Sequence, residues 1–416
     1  MPDTVVEQAD RRASAKFKAP PHVDPSLVYD IDDYFAATTA KDAYGASARA
    51  HEELPPMFFS RSNLSGLSEG AWFFRRYEDI KQVYLDDQHY SAHNIVDFPR
   101  YIGEKFLMLP LSIDRPEHTK YRILLNPWFS PKAINEMEAR IRATVVDLIE
   151  GFVGKGECDT AYDFGRLYPV RVFMNLMGFP PEMLEDFLKW EYALLHSQGE
   201  EEGPIWGFGE AIKYLRGFIE ERRRAPKEDL TSYILKGEVE GRPLTEDEIL
   251  GIISFLWVGG LDTVAATSAL SFRMMALDED LQDFLRAHPE THAGAVEEFL
   301  RMNPTVNSTR HVTADHEVYG VLLKKGDRVV CLNTAGNYDP EMFPDPRKFD
   351  VTRPPKRHFT LSFGVHNCLG AHLARREMKV AFSEFLARVP KFKAKPGADL
   401  TVYPGLMATL HMPVVW

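Results

Sequence analysis

Cys368 lies in the run Gly364-Val365-His366-Asn367-Cys368-Leu369-Gly370, directly before Ala371-His372-Leu373-Ala374-Arg375-Arg376, which reads as the first turn of an amphipathic helix. A cysteine at a helix start faces unpaired backbone N–H groups and the positive dipole end. Both are expected to lower its pKa and make it a competent anionic metal ligand. The flanking glycines allow the backbone to pass close to a flat cofactor. One sulfur leaves most of a metal's coordination unfilled, so tetrahedral zinc is a poor match. A haem, which brings four nitrogens itself, is a good one. Taken alone, the motif is equally compatible with a buried cysteine packed as a small hydrophobe behind a glycine turn.

A second constellation is Val258-Gly259-Gly260-Leu261-Asp262-Thr263-Val264, inside a long apolar helical run. Paired glycines cost roughly 1 kcal/mol each relative to alanine in a helix interior, so they point to a local opening or a close approach. An acid and a hydroxyl at such an opening could deliver protons to oxygen chemistry at a buried site. On the residues alone the simpler account is that Thr263 bonds back to a carbonyl one turn earlier and Asp262 pairs with a basic side chain. His118 and Arg122, four apart, project from one face of a helix that Asp114-Arg115-Pro116-Glu117 would cap. With Arg310 and His366 they could pair the carboxylates of a buried anionic group, although each singly reads as a solvated charge. Glu298 and Arg301 form an i, i+3 pair, worth only about 0.2–0.5 kcal/mol if exposed.

Together these segments resemble the cytochrome P-450 family. The Cys368 loop is similar to the family's Phe-x-x-Gly-x-(Arg/His)-x-Cys-x-Gly haem loop, except that Leu361 stands at the phenylalanine position and Phe363 follows two residues later. The Val258–Val264 run is similar to the oxygen-activating helix of the bacterial camphor-monooxygenase class, and that resemblance covers almost the whole chain. It implies a mainly α fold with small β-sheets, a triangular helical prism with a long central helix over haem b (iron protoporphyrin IX). It implies Cys368 as the iron's axial ligand and Asp262–Thr263 as a proton relay. His118, Arg122, Arg310 and His366 would hold the propionates, and Glu298, Arg301 and Arg353 would brace the cysteine loop. Phe106, Phe255, Val258, Val306 and Leu406 fall at substrate-pocket positions. All five are apolar, and Phe106 lacks the hydroxyl that binds the camphor ketone in that class. A site without that contact favours a small apolar terpenoid or norisoprenoid, hydroxylated at an unactivated C–H. A haem-thiolate sensor, the reading from another class, would need no acid and alcohol at the oxygen site.

These residues must be positioned by a largely helical frame. Most of residues 115–302 show helical spacing of apolar residues. The central helix starts at the capping box Thr245-Glu246-Asp247-Glu248 and runs to about Leu277. Its uncharged run from Ile249 to Leu261 falls short of the ~20 residues that span a bilayer, which leaves a core helix. Compact β-type runs occur at 71–74, 318–323 and 328–332, the last two joined by Lys324-Lys325-Gly326-Asp327 as a hairpin signal. A proline- and charge-rich loop is expected between Phe343 and Thr360.

The composition is that of a globular protein, and a net charge of −12 argues against a nucleic-acid binder. Cys158, Cys331 and Cys368 lack the spacing of a disulfide framework or metal cluster. His288-Pro289-Glu290-Thr291-His292 lacks the zinc-peptidase order. Residues 1–25 read as a flexible polar tail without an apolar leader or anchor, and residues 26–416 as one catalytic domain, so a cytoplasmic enzyme with no membrane partner is expected. Nothing here binds flavin or nicotinamide. The resemblance therefore implies O2 and electrons from a 2Fe–2S ferredoxin with its reductase, docking on Lys120, Arg122, Arg375, Arg376 and Lys379.

Overall fold

The computed structural model describes residues 19–32, 34–35, 42–62, 67–96, 98–197, 202–354, 357–403 and 407–416. Most of the expected N-terminal tail, and Leu406, lie outside these residues. The architecture is mainly α with small sheets. Helices at Glu117–Leu125, Pro131–Glu150, Leu167–Met177, Leu184–Leu195, Glu202–Arg224, Glu246–Leu261, Thr263–Leu277, His292–Met302 and Ala371–Arg388 carry most of the core.

The central helix begins at the expected capping box. Glu248 N–H donates to Thr245 Oγ1 (3.3 Å), and Thr245 N–H donates to Glu248 Oε2 (2.7 Å). Ile249, Leu250, Ile252, Ile253, Leu256, Trp257 and Leu261 are all buried, as expected of a helix largely enclosed by its own protein. Glu246–Leu277 as a whole is long and apolar enough to cross a membrane, but 67% of its apolar window is buried inside the protein. Burial, more than length, makes it a core element. The helix is interrupted at Asp262, where the first segment ends at Leu261 and the second begins at Thr263.

A five-stranded sheet packs beside the helices in the order Met57–Ser62, Leu67–Phe74, Arg328–Cys331, Ser308–Val312, Tyr90–Ser91. Arg328–Cys331 runs parallel to Leu67–Phe74 and antiparallel to Ser308–Val312. One sequence expectation is corrected here. Residues 318–323 are not a single strand: His316–Val318 and Val321–Leu323 form a two-stranded hairpin around Tyr319-Gly320, both at positive φ. The Lys324–Asp327 turn therefore joins two different sheets. Left-handed backbone at two successive residues closes the hairpin within the run, a turn the apolar pattern concealed.

Candidate active site

The cysteine loop is built by local backbone constraints. Gly364 sits at φ +65°, and a Cβ there would fall 2.8 Å from the carbonyl oxygen of Tyr84, so no other residue fits. Cys368 N–H donates to Leu361 O (2.8 Å), and Ala371 N–H donates to Cys368 O (3.3 Å). Cys368 is part-exposed, while Cys158 and Cys331 are buried, with burial pushing both of their thiols well up. The net direction at Cys368 departs from expectation. Burial raises its thiol above the usual range, opposed by the Gly370 N–H and the charges of Arg122 and Arg375. Desolvation thus opposes the helix-start effect at this sulfur. Leu361 and Phe363 are both buried. Phe363 packs edge-on against Phe359 at 5.9 Å beneath the Arg357 guanidinium, which partly restores the aromatic packing absent at position 361.

Behind this loop lies a buried brace. Arg301 donates to both oxygens of Glu298 (2.9 and 2.8 Å), and Arg353 Nε donates to Glu298 Oε1 (3.0 Å). The pair that could have been an exposed ion pair is 4% and 2% exposed. Arg301 Nη1 also reaches Asn337 O (3.0 Å). The Asn337 side chain in turn receives Phe359 N–H (2.8 Å) and donates to Thr360 Oγ1 (2.8 Å). Asn337 thus relays the brace into the start of the cysteine loop. No motif flagged it, because its role is set by long-range contacts alone.

The four expected cationic positions converge. His118 and Arg122 come from the Glu117–Leu125 helix, Arg310 from the Ser308–Val312 strand and His366 from the cysteine loop. The rings of His118 and His366 lie 4.3 Å apart, and Arg122 Nη1 donates to Asn367 O (2.7 Å), beside Cys368. Burial, then the charge of Arg122, holds His118 down at about 4. Burial, then Arg310, His118 and Arg122, holds His366 down at about 3. Asp114 is the nearby acid, and it does not cap the helix as expected. The cap position is Pro116, and the Asp114 carboxylate instead accepts from Ser91 Oγ and from Ala92 N–H (2.7 Å). Depressed imidazole pKa values beside two arginines mark a cluster short of negative charge. That donor set fits a ligand bearing two carboxylates, as haem does.

Along the central helix, Phe255, Val258, Gly259 and Thr263 share one face and are less buried than the residues around them. A Cβ at Gly259 would meet nothing within 4 Å among the described residues, whereas one at Gly260 would fall 2.4 Å from the Phe173 ring. The two glycines therefore differ in role: Gly259 faces open space, and Gly260 admits a neighbouring helix. Thr263 Oγ1 donates to Gly259 O (3.1 Å), and Asp262 Oδ1 lies 3.0 Å from His196 Nε2. The simpler sequence account, a back-bonded threonine and a paired acid, describes this geometry, although the partner is a histidine that no spacing rule indicated. Phe106 is buried in the same cluster against which Phe255 and Val258 pack. A Cβ on Gly251 would lie 2.1 Å from Leu107 O, which fixes that loop against the helix. Val306 is 36% exposed and stands outside this cluster.

The expected basic docking patch is partly neutralised. Lys120 pairs with Glu117 and Glu240 (2.8 and 3.0 Å), Arg375 with Glu297 (2.5 Å) and Arg376 with Glu138. Lys379 is exposed.

The family model for cytochrome P450 matches residues 208–400. A protein of Sinorhizobium fredii described as a probable cytochrome P450 127A1 is 35% identical over 395 residues, 93% of this chain and 94% of the relative. The steroid C26-monooxygenase of Mycobacterium tuberculosis is 32% identical over 322 residues, 74% of this chain and 86% of that protein. Among solved structures, CYP101J2 matches with a TM-score of 0.84 at 33% identity, covering 96% of this chain and 99% of that one. CYP101C1 matches with a TM-score of 0.84 at 28% identity, covering 96% and 100%. With nearly its whole length matched in sequence and in fold, the chain belongs to the cytochrome P450 family and is a monooxygenase that binds haem b through a cysteine thiolate.

Proposed function

We propose that residues 26–416 form a single catalytic domain that hydroxylates an unactivated C–H of a small apolar terpenoid or norisoprenoid. The enzyme would use O2 and electrons from a 2Fe–2S ferredoxin with its reductase, and would work in the cytoplasm. The observation that carries the site assignment is the convergence of the Cys368 loop with a carboxylate-hungry cluster of His118, Arg122, Arg310 and His366. In this reading Cys368 would hold the iron through its thiolate, and the haem, when bound, would supply the oxygen activation and the C–H oxidation. Arg122 and Arg310 would neutralise two propionates, with His118 and His366 as hydrogen-bonding partners. Their orientation is set by the Arg122–Asn367 bond and the His118–His366 contact. Glu298, Arg301 and Arg353 take no part in the chemistry and hold the loop rigid.

Asp262 holds a proton-accepting oxygen at the break in the central helix, and Thr263 presents its hydroxyl beside it. Phe106, Phe255 and Val258 exclude water and hold substrate by shape and dispersion, while Val306 and Leu406 are assigned to the pocket by resemblance alone. With no hydroxyl at Phe106, a ketone has no donor there, which supports a largely hydrocarbon substrate.

Two measurements test the reading. The reduced protein under carbon monoxide should show the red-shifted Soret band of thiolate ligation, lost in Cys368→His. Small terpenoids should shift the resting haem toward high spin, and failure of a broad panel to do so would remove the substrate assignment while leaving the haem site intact.

A further inference from the structure

The Asp262 carboxylate does not stand alone. His196 forms the C-terminal cap of the Leu184–Leu195 helix, and Glu191 lies on that helix one turn back, buried. His196 Nε2 is 3.0 Å from Asp262 Oδ1 and 3.4 Å from Glu191 Oε1. One potential ligand atom from each of the three residues lies within 4.8 Å of the other two. The side chains are only 9%, 10% and 11% exposed. A single Nε2–H cannot serve two carboxylates, and Glu191 Oε1 and Asp262 Oδ2 are buried without a hydrogen-bond partner among the described residues. Two carboxylates this close in a dry setting cannot both stay ionised beside one imidazolium. One further proton between them satisfies the orphaned oxygens and brings the group to neutrality.

We propose that Glu191, His196 and Asp262 form a proton-sharing triad, with Glu191 as the protonated member that resupplies Asp262. This rests on the reading of Asp262 and Thr263 given above. In the step, the Glu191 O–H bond breaks as an O–H bond forms on Asp262. Asp262 later gives that proton up on the Thr263 side, and the triad regains one from solvent. His196 stays charged and holds the two carboxylates together, favoured by its place at a helix C-terminus. Glu191 and His196 are thus positioning and supply residues. They need not touch substrate.

The titration of the group agrees with this geometry. Burial, then the Asp262 charge, lifts Glu191 to about 7. Burial alone would lower His196, but its hydrogen bond to Asp262 and the adjacent Glu191 carboxylate outweigh that and lift it to about 10. Among the described residues, the groups facing His196 are Glu191 and Tyr192 from its own helix and Asp262 from the central helix, with the Tyr192 ring 5.8 Å away. Proton supply is therefore expected to fall as pH rises through about 7, where Glu191 loses its proton.

The experiment uses the haem-loaded protein. Infrared spectra across neutral pH should contain a protonated-carboxyl stretch that disappears as pH rises, absent in Glu191→Gln and retained but shifted in Glu191→Asp. Glu191→Gln should lower product formed per O2 consumed by at least about tenfold and flatten its pH profile, with the substrate-induced spin shift unchanged. Glu191→Asp should restore most of the loss. A carboxyl band that titrates near neutral pH and survives Glu191→Gln, as distinct from the band expected of buried Glu377, or a wild-type pH profile in that variant, overturns the proposal. So does one equivalent of zinc retained by the purified protein and lost in His196→Ala, because a metal would then occupy the proton's place. If Asp262→Asn and Thr263→Ala also leave coupling unchanged while the band behaves as expected, the relay is overturned through the underlying active-site reading and not through the triad.

Discussion

The imidazoles of His118 and His366 lie with ring centroids 4.3 Å apart, one on a helix near the first third of the chain and one in the cysteine loop, with Arg310 and Arg122 close enough to depress both. Each has a folded-state pKa below its unfolded value of about 6.5, so the unfolded chain binds more protons between the two values. Stability is then fully present above the unfolded pKa and is lost as pH falls through it toward about 4 for His118 and about 3 for His366. Urea unfolding of haem-extracted protein should show this acid loss, at most on the order of 3 kcal/mol for His118 and about 5 kcal/mol for His366. The haem-loaded protein should show a shallower one, because propionates would favour the charged imidazoles. Equal acid slopes with and without haem would count against the propionate assignment.

Glu298 is the most heavily used acid behind the cysteine loop. Glu298→Ala would leave Arg301 buried and unpaired and is expected to cost about 3–5 kcal/mol. Haem retention should fall with it, because the Arg301–Asn337–Phe359 relay loses its anchor. Thermal unfolding and the haem-to-protein absorbance ratio measure the two effects. A neutral result would mean that the loop is held by other contacts.

The neighbouring glycines should respond in opposite directions. Gly260→Ala drives a methyl into the Phe173 ring and should destabilise by about 1–3 kcal/mol. Gly259→Ala meets open space, so helix propensity decides and the haem-free chain should gain up to about 1 kcal/mol. In the haem-loaded enzyme the same substitution narrows the face shared with Phe255 and Val258. Its test is a weaker spin shift with bulky terpenoids than with small ones.

Reversing the charge of exposed Lys379 is the cleaner probe of ferredoxin docking. Arg376→Glu places a second acid against Glu138 and disturbs a local pair as well. Lys379→Glu should slow ferredoxin-supported turnover several-fold at low ionic strength, with the difference shrinking as salt is added. Substrate binding should be untouched. A rate insensitive to both the substitution and salt would place the electron donor elsewhere.

The chain's own order of residues determined much of this protein. The capping box at Thr245, the all-round apolar helix behind it and the glycine-flanked cysteine before an amphipathic helix are local patterns, written within a few turns of chain. They were legible because hydrogen bonding and periodicity act over that range. The 318–323 run was misread because an internal two-residue turn does not disturb an apolar pattern. Asp114 was misassigned as a cap because its carboxylate is claimed by Ser91 and Ala92, which local spacing does not reveal.

What tertiary structure alone decided is which charges meet. Glu298 and Arg301 could have been a weak exposed pair, and burial with Arg353 and Asn337 made them a brace. Asp262 could have paired with any base, and the fold delivered His196 and Glu191 from the end of another helix. Arg375 and Arg376 looked available to a partner, and Glu297 and Glu138 claimed them. Electrostatic interactions depend on distance and on the dielectric around them. Neither is fixed until remote segments have packed.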